Sequence, residues 1–172
     1  LGSPVVKNNI GVIVLDMTKG PDKSPNRVRD FTSDPMNNST FGTLSIRRRV
    51  VNNTGQPVSR LRFRISEITT DPQASPSQAD LRARTSGDTT QGSIEDTATC
   101  AAQGNLPPCL VVIQGTTLET PPNQTKGGGL NATLSVTLGT PLPAGESINV
   151  QFMLGLEQTG LFRFFIVTEA LP

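Results

Sequence analysis

The sequence predicts an all-β protein built as a two-sheet antiparallel sandwich, and three observations favour this class. Turn-forming residues are abundant, with 16 Gly and 14 Pro among 172 residues. Charged residues make up only 17%, whereas long surface helices are usually rich in Lys and Glu. Hydrophobic residues amount to 34%, yet they fall in ordered runs, and those of the last third alternate with polar residues. Such a pattern separates the chain from disordered polymers of similar composition.

The first element is the apolar run IGVIVLDM at residues 10–17, which predicts a strand covered on both faces. Residues 18–40 are rich in Pro, Asp, Asn and Ser, and they predict a long irregular connection over the surface. We therefore divide the chain into an N-terminal strand and linker, residues 1–40, and a sandwich domain, residues 41–172.

The middle of the chain predicts four more strands, at 41–51, 58–68, 79–83 and 110–119. The turn NNTGQP separates the first two, and it offers Asn53 or Gly55 for a positive φ. Residues 85–109 are polar and Thr-rich, so we interpret them as an insertion that lies over one end of the sandwich. No long helix is predicted, although a single helical turn fits within 18–40 or 90–105.

The last third gives the clearest signal. In LNATLSVTL at 130–138 and SINVQFMLGL at 147–156, every second residue is apolar, as in strands with one buried and one hydrated face. The stretch LFRFFIVTEA at 161–170 completes a series of about eight strands separated by turn signals. A series of this kind predicts two antiparallel sheets packed face to face.

Two stretches resemble a known family. The residues RRRVVNNTGQPVSRLRFRI at 47–65 and LGTPLPAGESINVQFML at 138–154 are similar to turn-plus-strand patterns in bacterial extracellular immunoglobulin-like modules. They cover about a fifth of the chain. The resemblance implies an immunoglobulin-like sandwich, here with an extended N-terminal strand segment, and a non-enzymatic part in surface proteins, stalks, adhesins or filaments. It supplies no catalytic residues.

Residues missing from the sequence argue against an enzyme. The chain has no His, so it lacks an imidazole base and the usual His-containing zinc sites, and two Cys do not make a four-thiolate site. Neither a phosphate-binding Gly loop nor a GxSxG motif is present. We predict no catalytic residues, no cofactor and no metal. A distant carboxylate pair, or calcium at Asp71 or Asp88, stays open without a motif to support it.

Cys100 and Cys109 flank the polar segment AAQGNLPP, and we predict a disulfide that closes this short loop. The alternative is a pair of reduced thiols. A disulfide indicates an oxidising compartment, so we expect an extracellular or cell-surface protein in its mature form after signal cleavage. No segment approaches the ~20 apolar residues of a membrane-spanning helix.

The N-terminal strand needs a docking place because its apolar side chains are costly in water. One hypothesis pairs it with its own sheet. The other places it in a neighbouring subunit by strand addition, which builds a head-to-tail filament. The interface residues would then be Ile10, Val12, Ile13, Val14 and Leu15.

A basic face is the second candidate for function. Three arginines alternate with Leu61, Phe63 and Ile65 on one predicted strand, and two more lie on the strand that we expect beside it: Arg60, Arg62, Arg64, Arg47 and Arg49. This face suits a polyanionic glycan, whereas a solvated face paired with Glu67, Asp71 and Asp80 is the simpler interpretation. Nucleic acid is disfavoured because no aromatic side chain stands beside the arginines as a stacking platform and the overall charge is only +1.

The leading hypothesis is therefore a non-enzymatic structural subunit of an extracellular bacterial filament or surface assembly. Self-association is favoured by charge polarity, since residues 27–84 carry ten basic and five acidic residues (+5) and residues 85–172 carry two and seven (−5). The alternative is a stand-alone cell-surface module for adhesion or anionic-glycan binding.

Overall fold

The computed structural model describes residues 9–70, 76–119 and 126–172. The described residues form strands, one short α-helix (α1, Thr97–Ala101) and one 3-10 turn (Pro35–Asn37). The strands are β1 (Ile10–Val14), β2 (Arg27–Asp30), β3 (Thr43–Asn52), β4 (Val58–Ile68), β5 (Asp80–Arg84), β6 (Thr89–Ile94), β7 (Cys109–Ile113), β8 (Thr117–Leu118), β9 (Thr133–Leu142), β10 (Ser147–Gln158) and β11 (Phe164–Leu171). The predicted all-β sandwich is confirmed.

Two antiparallel sheets form the sandwich. In the first sheet, the strand order is β1-β3-β10-β5, and β2 also pairs with β3. Because β1 pairs with residues 48–52 of β3 and β2 with residues 43–46, the two short strands share one edge of this sheet. The second sheet has the order β11-β4-β9-β8, and β6 and β7 form a separate hairpin.

The main core lies between the two sheets. Strands β3, β4, β9 and β10 supply most of it, and its side chains include Leu44, Ile46, Val50, Leu61, Phe63, Ile65, Leu134, Phe152 and Leu154. Phe63 and Phe152 meet edge to face, with ring centroids 4.8 Å apart. Each fully buried side chain of this size contributes roughly 1.5–3 kcal/mol, so this core dominates the stability of the fold.

A smaller core lies outside the sandwich, beneath the hairpin. It contains Leu15, Ile94, Cys100, Cys109, Val111 and Ile113. Helix α1 closes it, and the Asp96 carboxylate caps this helix by accepting the backbone N–H of Thr99 at 2.8 Å. Leu15 is its member from the N-terminal segment, and Ile10 of the same segment packs against the main core, so this segment contributes to both.

Two expectations about the connections are wrong. Residues 18–40 are not wholly irregular, because they contain the strand β2; the 3-10 turn and helix α1 fall in the two ranges where a single helical turn was expected. β2 has no apolar alternation of its own, and its backbone is ordered by pairing with β3. The stretch 110–119 is also not one strand, since β7 belongs to the hairpin and β8 to the second sheet.

The turn after β3 redirects the chain between sheets. Gly55 takes the positive φ, at 77°. Asn52 is fully buried, and its side-chain amide donates to the carbonyl of Leu142 at 2.9 Å and to that of Gln56 at 2.8 Å. These bonds hold the segment at the point where it leaves the first sheet, so β3 and β4 do not form a hairpin.

Candidate functional site

The arginines of β4 lie on the outer face of the second sheet. Leu61, Phe63 and Ile65 point into the core and are fully buried. Arg60, Arg62 and Arg64 occupy the alternate positions and are half-buried. Their cross-strand neighbours on β9 are Thr137, Ser135 and Thr133, which gives this face a row of hydroxyl groups beside the arginines.

Two of these arginines are neutralised by carboxylates from neighbouring strands or loops. Arg60 forms an ion pair with Glu119, and Arg62 forms one with Glu169 of β11. The Arg62 Nε donates to Glu169 at 2.7 Å, and Glu169 is only 7% exposed. Arg64 makes no ion pair among the described residues. Most of the charge of this face is therefore used within the fold.

The acids that pair with these arginines differ from the expected ones. Glu67 pairs with Arg163, and Asp80 pairs with Arg82. Asp71 lies outside the described residues. The reason is topological, because β4 lies between β11 and β9, which are distant in sequence and bring other side chains to it.

Arg47 and Arg49 are not on a strand beside β4, and this expectation is wrong. They belong to β3 of the first sheet, on whose outer face the Asn149 side chain of β10 donates to the Val112 carbonyl of the hairpin at 3.1 Å. Arg47 is 8% exposed and donates to the side-chain carbonyls of Gln91 at 2.7 Å and Gln151 at 3.3 Å. Burial lowers the pKa of Arg47. The five arginines therefore do not form one continuous face.

The Cys100–Cys109 disulfide is confirmed. It joins α1 to the first residue of β7, and both half-cystines lie in the smaller core. In this position the disulfide closes the AAQGNLPP loop and ties the helix to the hairpin. No free cysteine occurs in the chain.

The N-terminal apolar segment docks on its own chain in this single-chain structure. β1 pairs antiparallel with β3, from Ile10 opposite Asn52 to Val14 opposite Arg48. Val12 is 41% exposed, whereas Ile10, Ile13 and Val14 are half-buried. Leu15 is fully buried in the smaller core, and its carbonyl accepts the Thr99 hydroxyl at 2.8 Å.

The loop after β1 is closed by hydrogen bonds instead of extended. The Asn26 side chain accepts the backbone N–H of Asp16 at 2.7 Å and donates to the Asp16 carbonyl at 2.8 Å. The Asp16 carboxylate accepts from the Thr18 hydroxyl at 2.6 Å and the Glu95 backbone N–H at 2.9 Å. The loop is therefore bonded to itself and to the hairpin, while Ile10 of the same segment packs against the main core.

Two further arginines, Arg27 and Arg48, line a cleft at one side of the sandwich and are absent from the predicted basic face. Arg48 lies in phase with Leu44, Ile46 and Val50, and Arg27 lies opposite Ile46 in the β2–β3 ladder. The period-2 pattern of β3 contains a signal for Arg48, because residue 48 falls on the apolar face. Nothing local distinguishes Arg27.

Two further features were sought among the described residues: a cluster of metal-ligand side chains and a helix able to cross a membrane. Within residues 9–70, 76–119 and 126–172, no group of three or more His, Cys, Asp or Glu side chains is placed to hold a metal ion. Among the same residues, no helix has the length and apolar character needed to cross a bilayer.

Comparison with known proteins gives no relative: no family model, no curated protein and no solved structure matches this chain.

Proposed function

We propose that this chain is a non-enzymatic structural module of an extracellular bacterial surface protein, and that its N-terminal strand closes its own sandwich. The observation that carries the proposal is that three of the arginines expected to bind a ligand are bonded to other side chains of the same chain. Arg60, Arg62 and Arg47 bind carboxylates or amides of neighbouring strands, so the side chains that looked most functional hold the fold together. A compact, disulfide-bearing sandwich of this kind suits a load-bearing or spacer role outside the cell.

The oligomeric state tests this proposal. The full chain of residues 1–172 is followed by sedimentation velocity from micromolar to millimolar concentration, and the concentrated sample is viewed by electron microscopy. A monomer throughout supports the proposal. Filaments that disappear when residues 1–17 are deleted contradict it.

Strand exchange is the second candidate function, and the edge position of β1 favours it. Among the described strands β1 pairs with β3 alone, so a second copy's β1 is able to make the same backbone bonds. The exchanged unit would be residues 10–30, because Leu15, Asp16 and Asn26 tie the strand to the loop that follows. The hinge then falls within residues 31–42, twelve residues that span at most about 40 Å when extended.

Glycan binding through the basic face is supported less by the geometry. Replacing Arg60, Arg62 and Arg64 together by Ser would also leave Glu169 nearly buried without its cation, so lost binding and lost stability become mixed. Arg64→Ser alone is the cleaner test. A glycan-array profile that is the same for this variant and the unmodified chain removes anionic-glycan binding at this face.

A further inference from the structure

A small apolar cleft opens on one side of the sandwich, between the β1/β2 edge of the first sheet and β11 of the second. Its volume is about 170 Å³, and its apolar walls are Val12, Ile46, Phe152, Phe162, Phe164 and Ile166. A dry cavity of about 150 Å³ with similar walls holds one benzene molecule in another protein. The space therefore matches a single six-membered ring.

Two arginines, Arg27 and Arg48, also line this cleft. Neither forms an ion pair with a carboxylate within the described part of the chain. The Arg27 guanidinium lies 5.1 Å from the centroid of the Phe162 ring, and its Nε is buried without a hydrogen-bond acceptor. Arg48 uses one terminal nitrogen on the carbonyl of Arg47, at 2.8 Å.

The two cations are close enough to act on each other. Burial and, after it, the charge of Arg27 lower the pKa of Arg48. The hydrogen bond with Lys23 and, least of the causes, the charge of Arg27 lower the pKa of Asp22, whose exposed carboxylate pairs with Lys23 at 3.3 Å. Two like charges beside aromatic walls, with no carboxylate between them, make a site that is complementary to an anion.

We propose that this cleft binds a small aromatic carboxylate, whose ring enters the apolar part and whose carboxylate bridges Arg27 and Arg48. Aromatic walls favour an aromatic ring in edge-to-face or offset contact. The planar guanidinium groups favour a carboxylate over a neutral hydroxyl group. This site is independent of the proposed structural role, because it does not depend on oligomeric state.

The test is a titration of the full chain with benzoate, followed by calorimetry and by amide chemical shifts in NMR. Benzyl alcohol serves as the neutral analogue, and acetate as the anion without a ring. We expect benzoate to bind about tenfold or more tightly than benzyl alcohol, as for one additional charge-assisted hydrogen bond. Benzoate should also bind more tightly than acetate, because acetate has no ring to bury in the apolar part of the cleft. The shifts should centre on Val12, Ile46 and Phe164.

Arg27→Gln and Arg48→Gln should each weaken benzoate binding by about tenfold. Arg27→Lys keeps the positive charge but loses the bidentate geometry of the guanidinium. Its affinity for benzoate should therefore lie between those of Arg27→Gln and the unmodified chain. Arg64→Gln is the matched control, because Arg64 is also half-buried and without an ion pair among the described residues. Circular dichroism establishes that each variant is folded before binding is measured.

Three results overturn the proposal. Equal affinity for benzoate and benzyl alcohol removes the role of the arginines. Chemical-shift changes that avoid the cleft place the ligand elsewhere. A dimer that buries the cleft, and that dissociates in Arg27→Gln, assigns the site to a side chain of a second copy instead.

Discussion

The main core and the smaller core differ in how they are stabilised. The main core buries apolar side chains from both sheets, whereas the smaller one comprises six of the described residues, of which two are half-cystines and one is Leu15 from the N-terminal segment. A cluster of this size buries too little apolar surface to offset the entropy of ordering its loops. The Cys100–Cys109 disulfide and the buried side chain of Leu15 therefore provide much of the stability of the hairpin.

The largest effect is expected in the main core. Phe63→Ala removes a fully buried ring that meets Phe152 edge to face, so we expect the free energy of unfolding to fall by about 3–5 kcal/mol. Urea denaturation measures it. Phe31→Ala is the control, because Phe31 is 79% exposed, and a change beyond about 0.5 kcal/mol there would be unexpected. Similar losses in both variants would contradict the assigned core.

The disulfide sharpens the comparison between the cores. Replacing Cys100 and Cys109 by Ala should cost about 2–3 kcal/mol, because the bond closes a loop with a sequence separation of nine. The loss should be local. Hydrogen exchange should become faster in β6 and β7 and stay unchanged in β4 and β9. Uniform acceleration in all four strands would show that the two cores unfold as one unit.

The outer face of the second sheet should contribute less than either core. Arg62→Gln leaves Glu169 nearly buried without its cation, and we expect a loss of about 1–2 kcal/mol. Arg64→Gln should change stability by no more than about 0.5 kcal/mol, since no ion pair is broken among the described residues. Thermal unfolding of both variants provides the comparison, and equal losses would mean that the Arg62–Glu169 pair is not stabilising.

The smallest effect is the pH dependence of stability that comes from Asp16, which links the N-terminal segment to the backbone N–H of Glu95. Burial tends to raise the pKa of Asp16, but the Thr18 hydroxyl, the backbone N–H groups of Glu95 and Thr18, and Lys19 together lower it below its usual 3.8. The folded chain therefore binds fewer protons than the unfolded chain. Stability from Asp16 is present above pH 3.8 and is lost as pH falls through the lower folded pKa.

Asp16→Asn removes this contribution and tests its sign. Acid titration of stability should be less steep for the variant than for the unmodified chain below pH 3.8. Asp88→Asn is the control at another loop carboxylate, which binds the backbone N–H of Gly115. An unchanged acid slope in Asp16→Asn would remove Asp16 from the link between the N-terminal segment and the hairpin.

Local patterns in the sequence predict the strands that carry their own alternation. β4 has the predicted bounds, and β9 and β10 fall on the alternating runs of the last third. β2 and β6 were missed because their residues carry no apolar period and are ordered by partners elsewhere in the chain. Strands that pair within each sheet are also distant in sequence, so the ion-pair partners of Arg60 and Arg62 could not be predicted from local patterns.

The disulfide was predictable because two cysteines allow one pairing within the chain. The cleft was not, since its lining combines side chains of β2 and β11, which are far apart in the sequence. Of the two cleft arginines, only Arg48 has a signal in the sequence, because it is a charged residue at an apolar position of the β3 alternation. Arg27 of the edge strand β2 also lines the cleft, and an inward-pointing charge on an edge strand discourages edge-to-edge association.

One cysteine pair tests the central claim directly. Gly11 and Val51 face each other in the β1–β3 ladder, and a Cβ added at Gly11 would lie 3.5 Å from that of Val51, within the range of disulfides. Gly11→Cys combined with Val51→Cys is oxidised at high protein concentration and analysed by non-reducing electrophoresis and mass spectrometry, with Gly11→Cys alone as control. We predict an internally cross-linked monomer. A ladder of cross-linked oligomers that the control does not give would contradict the account and support strand exchange.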